Sequence, residues 1–187
     1  DSNKIEIKKK NIGKIIDLKY NPGKDLLLIT SVKRNLKKIL VYDIRNKKIK
    51  VIDRIKDNSN DEAFYISWKN REEVAYIKSI KGKNFIINNN TITNKKEYKS
   101  LERFERVSGF SYNSNESLIA VSGSINNQKD IYLLSANSSN MKKITDDEFD
   151  DIYPKFFKNS TSIAFSSNRN NSNLNEKDNF SEFNESY

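Results

Sequence analysis

The hydrophobic residues of the chain fall into short runs of strand type, and one such run recurs at a nearly constant spacing. The recurring runs are LLLIT from Leu26, VAYIK from Val74, LIAVSG from Leu118 and SIAFSS from Ser162. Their starts are separated by 48, 44 and 44 residues. A spacing of this size is typical of proteins built from repeats, in which each repeat is one supersecondary unit.

Each recurring run follows a polar turn, and each turn follows another alternating segment. The turns are NPGKD from Asn21, KNREE from Lys69, NSNES from Asn113 and KNSTS from Lys158. The segments before them are IIDLKY from Ile15, AFYISW from Ala63, VSGFSY from Val107 and IYPKFF from Ile152. Because Asn, Gly, Ser and Pro favour tight turns, each of the four units is predicted to open with a β-hairpin.

Further strands follow the hairpins in the first three units. A third strand is predicted at ILVYD from Ile39, NFIIN from Asn84 and DIYLLS from Asp130, and a fourth at KIKVI from Lys48 and MKKIT from Met141. Four antiparallel strands in about 44 residues make one propeller blade. The pattern therefore predicts an all-β protein, a β-propeller with four-stranded antiparallel blades, of which about four are present and the last is incomplete. Ala120 and Ala164 are predicted to be buried in their second strands.

The spacing also predicts the boundaries of the units. They are an N-terminal strand or linker over 1–12, blade 1 over 13–57, blade 2 over 58–100, blade 3 over 101–146, a partial blade 4 over 147–169, and a polar tail, linker or disordered segment over 170–187. The tail contains no pattern for a third or fourth strand of the last blade. We therefore expect further blades or another domain beyond Tyr187; the alternative is a disordered linker after a terminal hairpin.

The last two units resemble the repeats of TolB-type β-propellers, which are relatives of the WD-type propellers. The residues that carry this resemblance are FSYNSNESLIAVSGSINNQKDIYLLSANSSNMKKIT from Phe110 and DIYPKFFKNSTSIAFSSNR from Asp151. The first two units are weaker copies, and the resemblance covers roughly residues 13 to 169. The Asp-Gly hairpin typical of the family is replaced by other turn residues in three copies. Four copies in phase indicate the fold, whereas propellers perform unrelated functions.

The composition excludes much of enzyme chemistry. The chain has no Cys and no His, so disulfides, thiolate catalysis, a His general base and Cys-type zinc sites are impossible. The segments near Gly109 and Gly123 lack the G-x-S-x-G pattern of a nucleophile elbow. We therefore expect this chain to be non-enzymatic, with no cofactor and no metal, whereas the activity of the full-length protein stays open.

The net charge of +9 raises the question of a nucleic-acid partner. The lysine pairs, however, are scattered along the chain at turns and exposed strand positions rather than clustered, and Lys far outnumbers Arg. No nucleic-acid partner is therefore expected. The apolar runs are also much shorter than the roughly 20 residues that a membrane-spanning helix needs.

The meander of a blade places the strand 2–3 turns and the connections between blades on one face, where propellers usually bind partners. The candidate binding residues on this face are Asp61, Glu62, Arg103, Arg106, Asp147, Asp150, Asp151 and Arg169. Such a mixture of charges suits a protein or peptide ligand. The run DDEFDD from Asp146 is the most distinctive local feature, and its carboxylates are candidates for binding Ca²⁺ or a basic peptide. Because the run lacks the Gly and the final Glu of an EF-hand loop, a solvated acidic loop is the favoured interpretation. The aromatic residues expected to pack between blades, rather than to form a stacking platform for sugars or bases, are Phe64, Trp68, Phe110, Phe156 and Phe157.

The TolB resemblance implies a binding scaffold of the bacterial cell envelope, located in the periplasm, whose partners are other envelope proteins, such as peptidoglycan-associated lipoproteins, or peptides. An alternative is the propeller that gates access to a prolyl-oligopeptidase-like serine peptidase, with the catalytic domain outside these residues. A WD-type adaptor is disfavoured because the Gly-His and Trp-Asp signatures are missing from every copy.

Overall fold

The computed structural model describes residues 12–21, 23–56 and 65–169, and within these ranges the chain forms fourteen strands and no helix. The segment 1–11, where an N-terminal strand or linker is predicted, and the tail 170–187 lie outside the described residues. Across the described ranges, no helix is long and apolar enough to cross a membrane.

The strands form four antiparallel sheets, each a simple meander in chain order. Sheet 1 contains β1 (Lys14–Asn21), β2 (Leu26–Lys33), β3 (Leu36–Asp43) and β4 (Lys48–Lys56). Sheet 2 contains β5 (Ile66–Trp68), β6 (Glu73–Ile80), β7 (Lys83–Asn90) and β8 (Lys96–Ser100). Sheet 3 contains β9 (Arg106–Tyr112), β10 (Leu118–Ile125), β11 (Gln128–Ser135) and β12 (Met141–Lys143). Sheet 4 contains β13 (Asp151–Phe156) and β14 (Ile163–Ser167). The predicted all-β class with β-propeller blades is confirmed, and within the described residues the last sheet has two strands.

The core lies between successive sheets, and this explains why the recurring runs are apolar at every position. On β6, Val74 and Tyr76 pack against sheet 1, whereas Ala75 between them packs against sheet 3. Neighbouring residues of a strand point to opposite faces, so a strand covered on both faces needs apolar side chains without alternation. Ile119, Ala120 and Val121 on β10 are likewise completely buried.

The first two sheets are also joined by buried polar contacts. The Tyr76 hydroxyl donates to Asp53 on β4 at 2.8 Å, and the Lys78 ammonium donates to the same carboxylate at 3.0 Å. Burial alone would raise the pKa of Asp53, but these hydrogen bonds outweigh it and lower that pKa. The indole of Trp68 donates to the carbonyl oxygen of Lys19 at 2.9 Å and packs at the same interface, as predicted.

Two predictions of burial are wrong in the last sheet. Ala164 is exposed, and the Phe157 side chain is 57% exposed. The reason is that sheet 4 has two strands within the described residues, and no described sheet covers its far face. Sheet 4 instead contacts sheet 3 partly through polar groups, since the Ser122 hydroxyl donates to the carbonyl oxygen of Asp151 at 2.8 Å.

Candidate functional site

The described connections between sheets 2 and 3 and between sheets 3 and 4 lie beside the turn between the second and third strands of sheet 3, and together they form one surface. We name this the connection face and define it by residues 101–105, 126–127 and 144–150. The backbone of Glu105 donates to the carbonyl oxygen of Ser124 at 2.9 Å, and its carboxylate accepts from the Asn127 amide at 3.2 Å. Farther along, the Gln128 side chain donates to the carbonyl oxygen of Phe149 at 2.9 Å. These contacts attach each connection to a neighbouring strand end.

Arg169 is the centre of an ionic network below the acidic loop. Its guanidinium donates to both carboxylate oxygens of Asp151, at 3.0 Å to one of them, and also contacts Asp147. The side chain of Asp151 is 0% exposed and that of Arg169 is 6% exposed. Asp151 was expected on the exposed face, so its predicted exposure is wrong. Arg169 and Asp151 brace the start of β13 against the end of β14, and in this structure they present no free charge to a ligand.

Two further aspartates of the loop, Asp146 and Asp150, are paired as well. Lys129 on β11 binds the Asp150 carboxylate, and Lys143 on β12 binds both the exposed Asp146 and the buried Asp130. Burial raises the pKa of Asp130, since it disfavours the charged form more than Lys143 stabilises it. Four carboxylates of the DDEFDD run are thus neutralised by lysine or arginine.

The described residues contain no group of three acidic side chains close enough to hold a metal ion. The pairing gives a physical reason for this at the acidic loop, where cations of the chain occupy the positions that an ion would need. The loop is therefore organised as a brace between sheets 3 and 4.

Arg103 and Arg106 differ from the acidic residues because both are exposed on or beside the connection face. The backbone around them is anchored by hydrogen bonds from Leu101 to Asn84 at 2.8 Å and from Phe104 to Leu101 at 3.0 Å. Arg103 also stands at the rim of a groove of about 520 Å³ between sheets 2 and 3, which Phe104, Leu134 and Met141 help to line. Both arginines are exposed, form no ion pair with another described residue, and stand on a backbone that is held by hydrogen bonds.

Asp61 and Glu62, the two remaining candidate residues, lie outside the described residues. The structure thus brings Asp147, Asp151 and Arg169 together in one network and leaves Arg103 and Arg106 apart from it. Sequence reasoning did not find Lys129, Lys143 and Asp130 as partners of the loop. Strand register brings Lys129 to Asp150 and Asp130 to Lys143, and no local motif marks that register, whereas Lys143 lies only three residues before Asp146 in the sequence.

No family model matches the sequence, and no curated protein matches it. Among solved structures, TolB from Acinetobacter baumannii is similar with a TM-score of 0.65 and 14% identity, over 82% of this chain and 37% of that chain. The putative TolB from Agrobacterium tumefaciens is similar with a TM-score of 0.65 and 16% identity, over 81% of this chain and 53% of that chain.

The tricorn protease is also similar, with a TM-score of 0.58 and 16% identity over 82% of this chain and 15% of that protein. The chain therefore spans about a third to a half of the length of the two TolB structures and a smaller share of the protease. At such low identity these similarities show the fold alone. The chain is a run of TolB-like β-propeller blades.

Proposed function

We propose that this chain is a non-catalytic scaffold that binds a protein or peptide through its connection face, in a bacterial cell-envelope protein. The observation that carries this proposal is the pair of exposed arginines, Arg103 and Arg106, on backbone that is hydrogen-bonded to neighbouring strand ends. Arginine is enriched among the residues that dominate protein interfaces. A fixed backbone also loses little conformational entropy on binding, which favours affinity.

The location in the envelope is the less direct part of this proposal. It is supported by the similarity to the two TolB structures and by the repeat motifs that resemble TolB-type propellers. These similarities support our proposal of a periplasmic location, with other envelope proteins or their peptides as partners.

A photo-crosslinking experiment in the native cells tests both parts of the proposal. A photoreactive residue replaces Glu102, next to the arginines, and a control replaces Lys48 on β4, which is exposed at the far edge of sheet 1. We expect discrete adducts with envelope proteins from position 102 and not from position 48. Equal adducts from both positions would contradict the binding face, and recovery of the protein in the cytosolic fraction would contradict the location.

The similarity to the tricorn protease supports a second candidate, a propeller that controls access to a peptidase domain. In that case the catalytic residues belong to another part of the full-length protein. Sequencing of the complete reading frame separates the two candidates. A Ser-Asp-His hydrolase domain in the same gene would favour the peptidase, and an envelope-anchoring domain would favour the scaffold.

A further inference from the structure

The first strands of the four sheets, or residues directly beside them, meet around a small cavity. Its volume is about 100 Å³, and it is lined by Lys19 of β1, Tyr65 before β5, Gly109 of β9, and Tyr153 and Lys155 of β13. A space of this size holds about three water molecules, which is enough for one small functional group. Because each sheet contributes a residue, the site exists only when the blades are assembled.

Tyr153 has a strained backbone at this cavity. Its φ is +58°, a left-handed conformation that a bulky residue rarely adopts, and it lies in a β-bulge of β13 between Ile152 and Lys155. The side chain is 51% exposed, so burial of the ring does not explain the strain. Bulges often redirect a side chain, and backbone strain of this kind is concentrated at functional sites. Here the Tyr153 ring is directed to within 6.2 Å of the Tyr65 ring from sheet 2, measured between centroids.

Gly109 allows this arrangement by letting two inner strands come close together. Its φ is +150°, and a Cβ atom there would lie 3.2 Å from Cα of Tyr153 and 3.3 Å from Cδ of Pro154. Such contacts are tighter than ordinary packing, so a side chain at position 109 would push β13 outward. The glycine therefore keeps Tyr153 and the adjacent Lys155 at the cavity wall.

The cavity has an excess of positive charge. Lys19 is paired with Asp17, whereas no ion pair is formed by Lys155 with any residue of the described ranges. Lys155 as a whole residue is exposed, yet nearby protein atoms lower the pKa of its ammonium, and the charge of Lys19 lowers it further against a smaller opposing effect of Asp17. Two lysines and one aspartate leave about one uncompensated positive charge facing this space.

We propose that the cavity binds a single carboxylate from an acidic segment of the protein partner, with Lys155 as its ion-pair partner and the two tyrosine rings as its walls. This inference rests on the proposed binding function, because the carboxylate belongs to a partner. A carboxylate matches the net charge of the cavity, whereas a phosphate group carries closer to two negative charges. The cavity is about three residues along β9 from Arg106, roughly 10 Å in an extended strand, so a partner on the connection face can reach it.

The probe for this site is a fluorescent pentaglutamate peptide, titrated into the full chain at low salt. Lys155→Met removes the proposed ion-pair partner, and Lys48→Met makes the same change of net charge at an exposed site on sheet 1. We expect Lys155→Met to weaken binding at least tenfold and Lys48→Met less than twofold, with pentaglutamine not binding. Equal weakening by the two variants would show that only the overall charge attracts the peptide, which overturns the proposal. Competition by inorganic phosphate at lower concentration than acetate would overturn the choice of carboxylate.

A second measurement covers the case in which Lys155→Met does not fold. Lysines of the unmutated chain are dimethylated with ¹³C and followed by NMR while pentaglutamate is added. The Lys155 resonance should shift and its pKa should rise, while Lys48 stays unchanged; an unchanged Lys155 resonance refutes the site. The crosslinking at position 102 is independent of this result. If adducts form at position 102 but the Lys155 resonance does not respond, the carboxylate site is refuted and the binding face is retained. If the Lys155 resonance responds but no adducts form at position 102, the binding face is refuted and the carboxylate site is retained.

Discussion

Replacement of Arg169 by Met decides whether the acidic loop is a structural brace or a binding surface. The substitution keeps most of the aliphatic volume but leaves the fully buried carboxylate of Asp151 without its partner. Loss of one partner of a buried ion pair typically costs 3–5 kcal/mol. The contact with Asp147 adds little, because that side chain is 37% exposed and such pairs contribute about 0–1 kcal/mol. We therefore expect the free energy of unfolding to fall by about 3–5 kcal/mol.

Urea denaturation measures this loss, and the fluorescence of Trp68 reports on it because this single tryptophan packs between sheets 1 and 2. A double variant with Arg169→Met and Asp151→Asn removes the buried charge together with its partner. It should be more stable than Arg169→Met alone, because no uncompensated charge remains. Lys129→Met is the matched control: its pair with Asp150 is partly exposed, and we expect a loss of about 1 kcal/mol or less.

Two results would refute this reasoning. One is a loss below about 1 kcal/mol for Arg169→Met, which is the range of an exposed pair. The other is a double variant whose destabilisation equals the sum of the single variants, because residues that do not interact show such additivity. Either result would return Arg169 and Asp151 to the candidates for ligand binding.

Three further changes test the packing and the polar contacts between sheets. Gly123→Ala would place Cβ 2.7 Å from Cε1 of the buried Phe104, so the free energy of unfolding measured in urea should fall by about 1–3 kcal/mol. Phe104→Leu should restore part of this loss, and absence of such rescue would exclude the clash as the cause. Ala120→Asp should prevent cooperative thermal unfolding, whereas Ala164→Asp at an exposed site should be tolerated, and equal behaviour would contradict the burial that separates them. Tyr76→Phe removes a hydrogen bond that lowers the pKa of Asp53. A carboxylate whose pKa is lowered in the folded state contributes stability that is lost as the pH falls below its ordinary pKa of 3.8. The destabilisation by Tyr76→Phe, measured by urea denaturation, should therefore shrink below that pH. A constant difference between the two proteins down to pH 2 would be inconsistent with this link.

The strands could be predicted from the sequence because their signals are local. The recurring runs became β2, β6, β10 and β14, and the polar clusters before them became the hairpin turns. Apolar side chains at consecutive positions predicted strands that are covered on both faces. Val74 and Ala75 agree with this prediction, because these neighbouring residues pack against different sheets. The same rule failed at Ala164, because burial depends on the neighbouring sheet and not on the strand itself.

The contacts of the candidate site could not be predicted, since they join residues that are distant in sequence. Lys19 and Lys155 line the same cavity because of the way the four sheets are arranged, and no local sequence pattern predicts that they lie close together. The position of Tyr153 depends on a bulge whose place is set by the pairing of β13 with β14. Strand existence follows from periodicity, whereas register and sheet packing are properties of the assembled fold.

Charge density along a sequence is a poor guide to free charge in the folded chain, and the acidic loop shows why. Asp147 and Asp150 stand in the densest run of acids, yet each contacts a basic side chain that folding brings to it. Lys155 stands between apolar and aromatic neighbours in the sequence, and its ammonium forms no ion pair with another residue in the described part of the chain. Like charges that are brought together by folding repel one another unless opposite charges pair with them. The basic side chains that pair with a dense acidic run therefore make it part of the contacts that hold the fold together. We therefore expect isolated charges such as Arg103, Arg106 and Lys155 to be available to a partner, and their variants rather than those of the loop to alter binding without loss of stability.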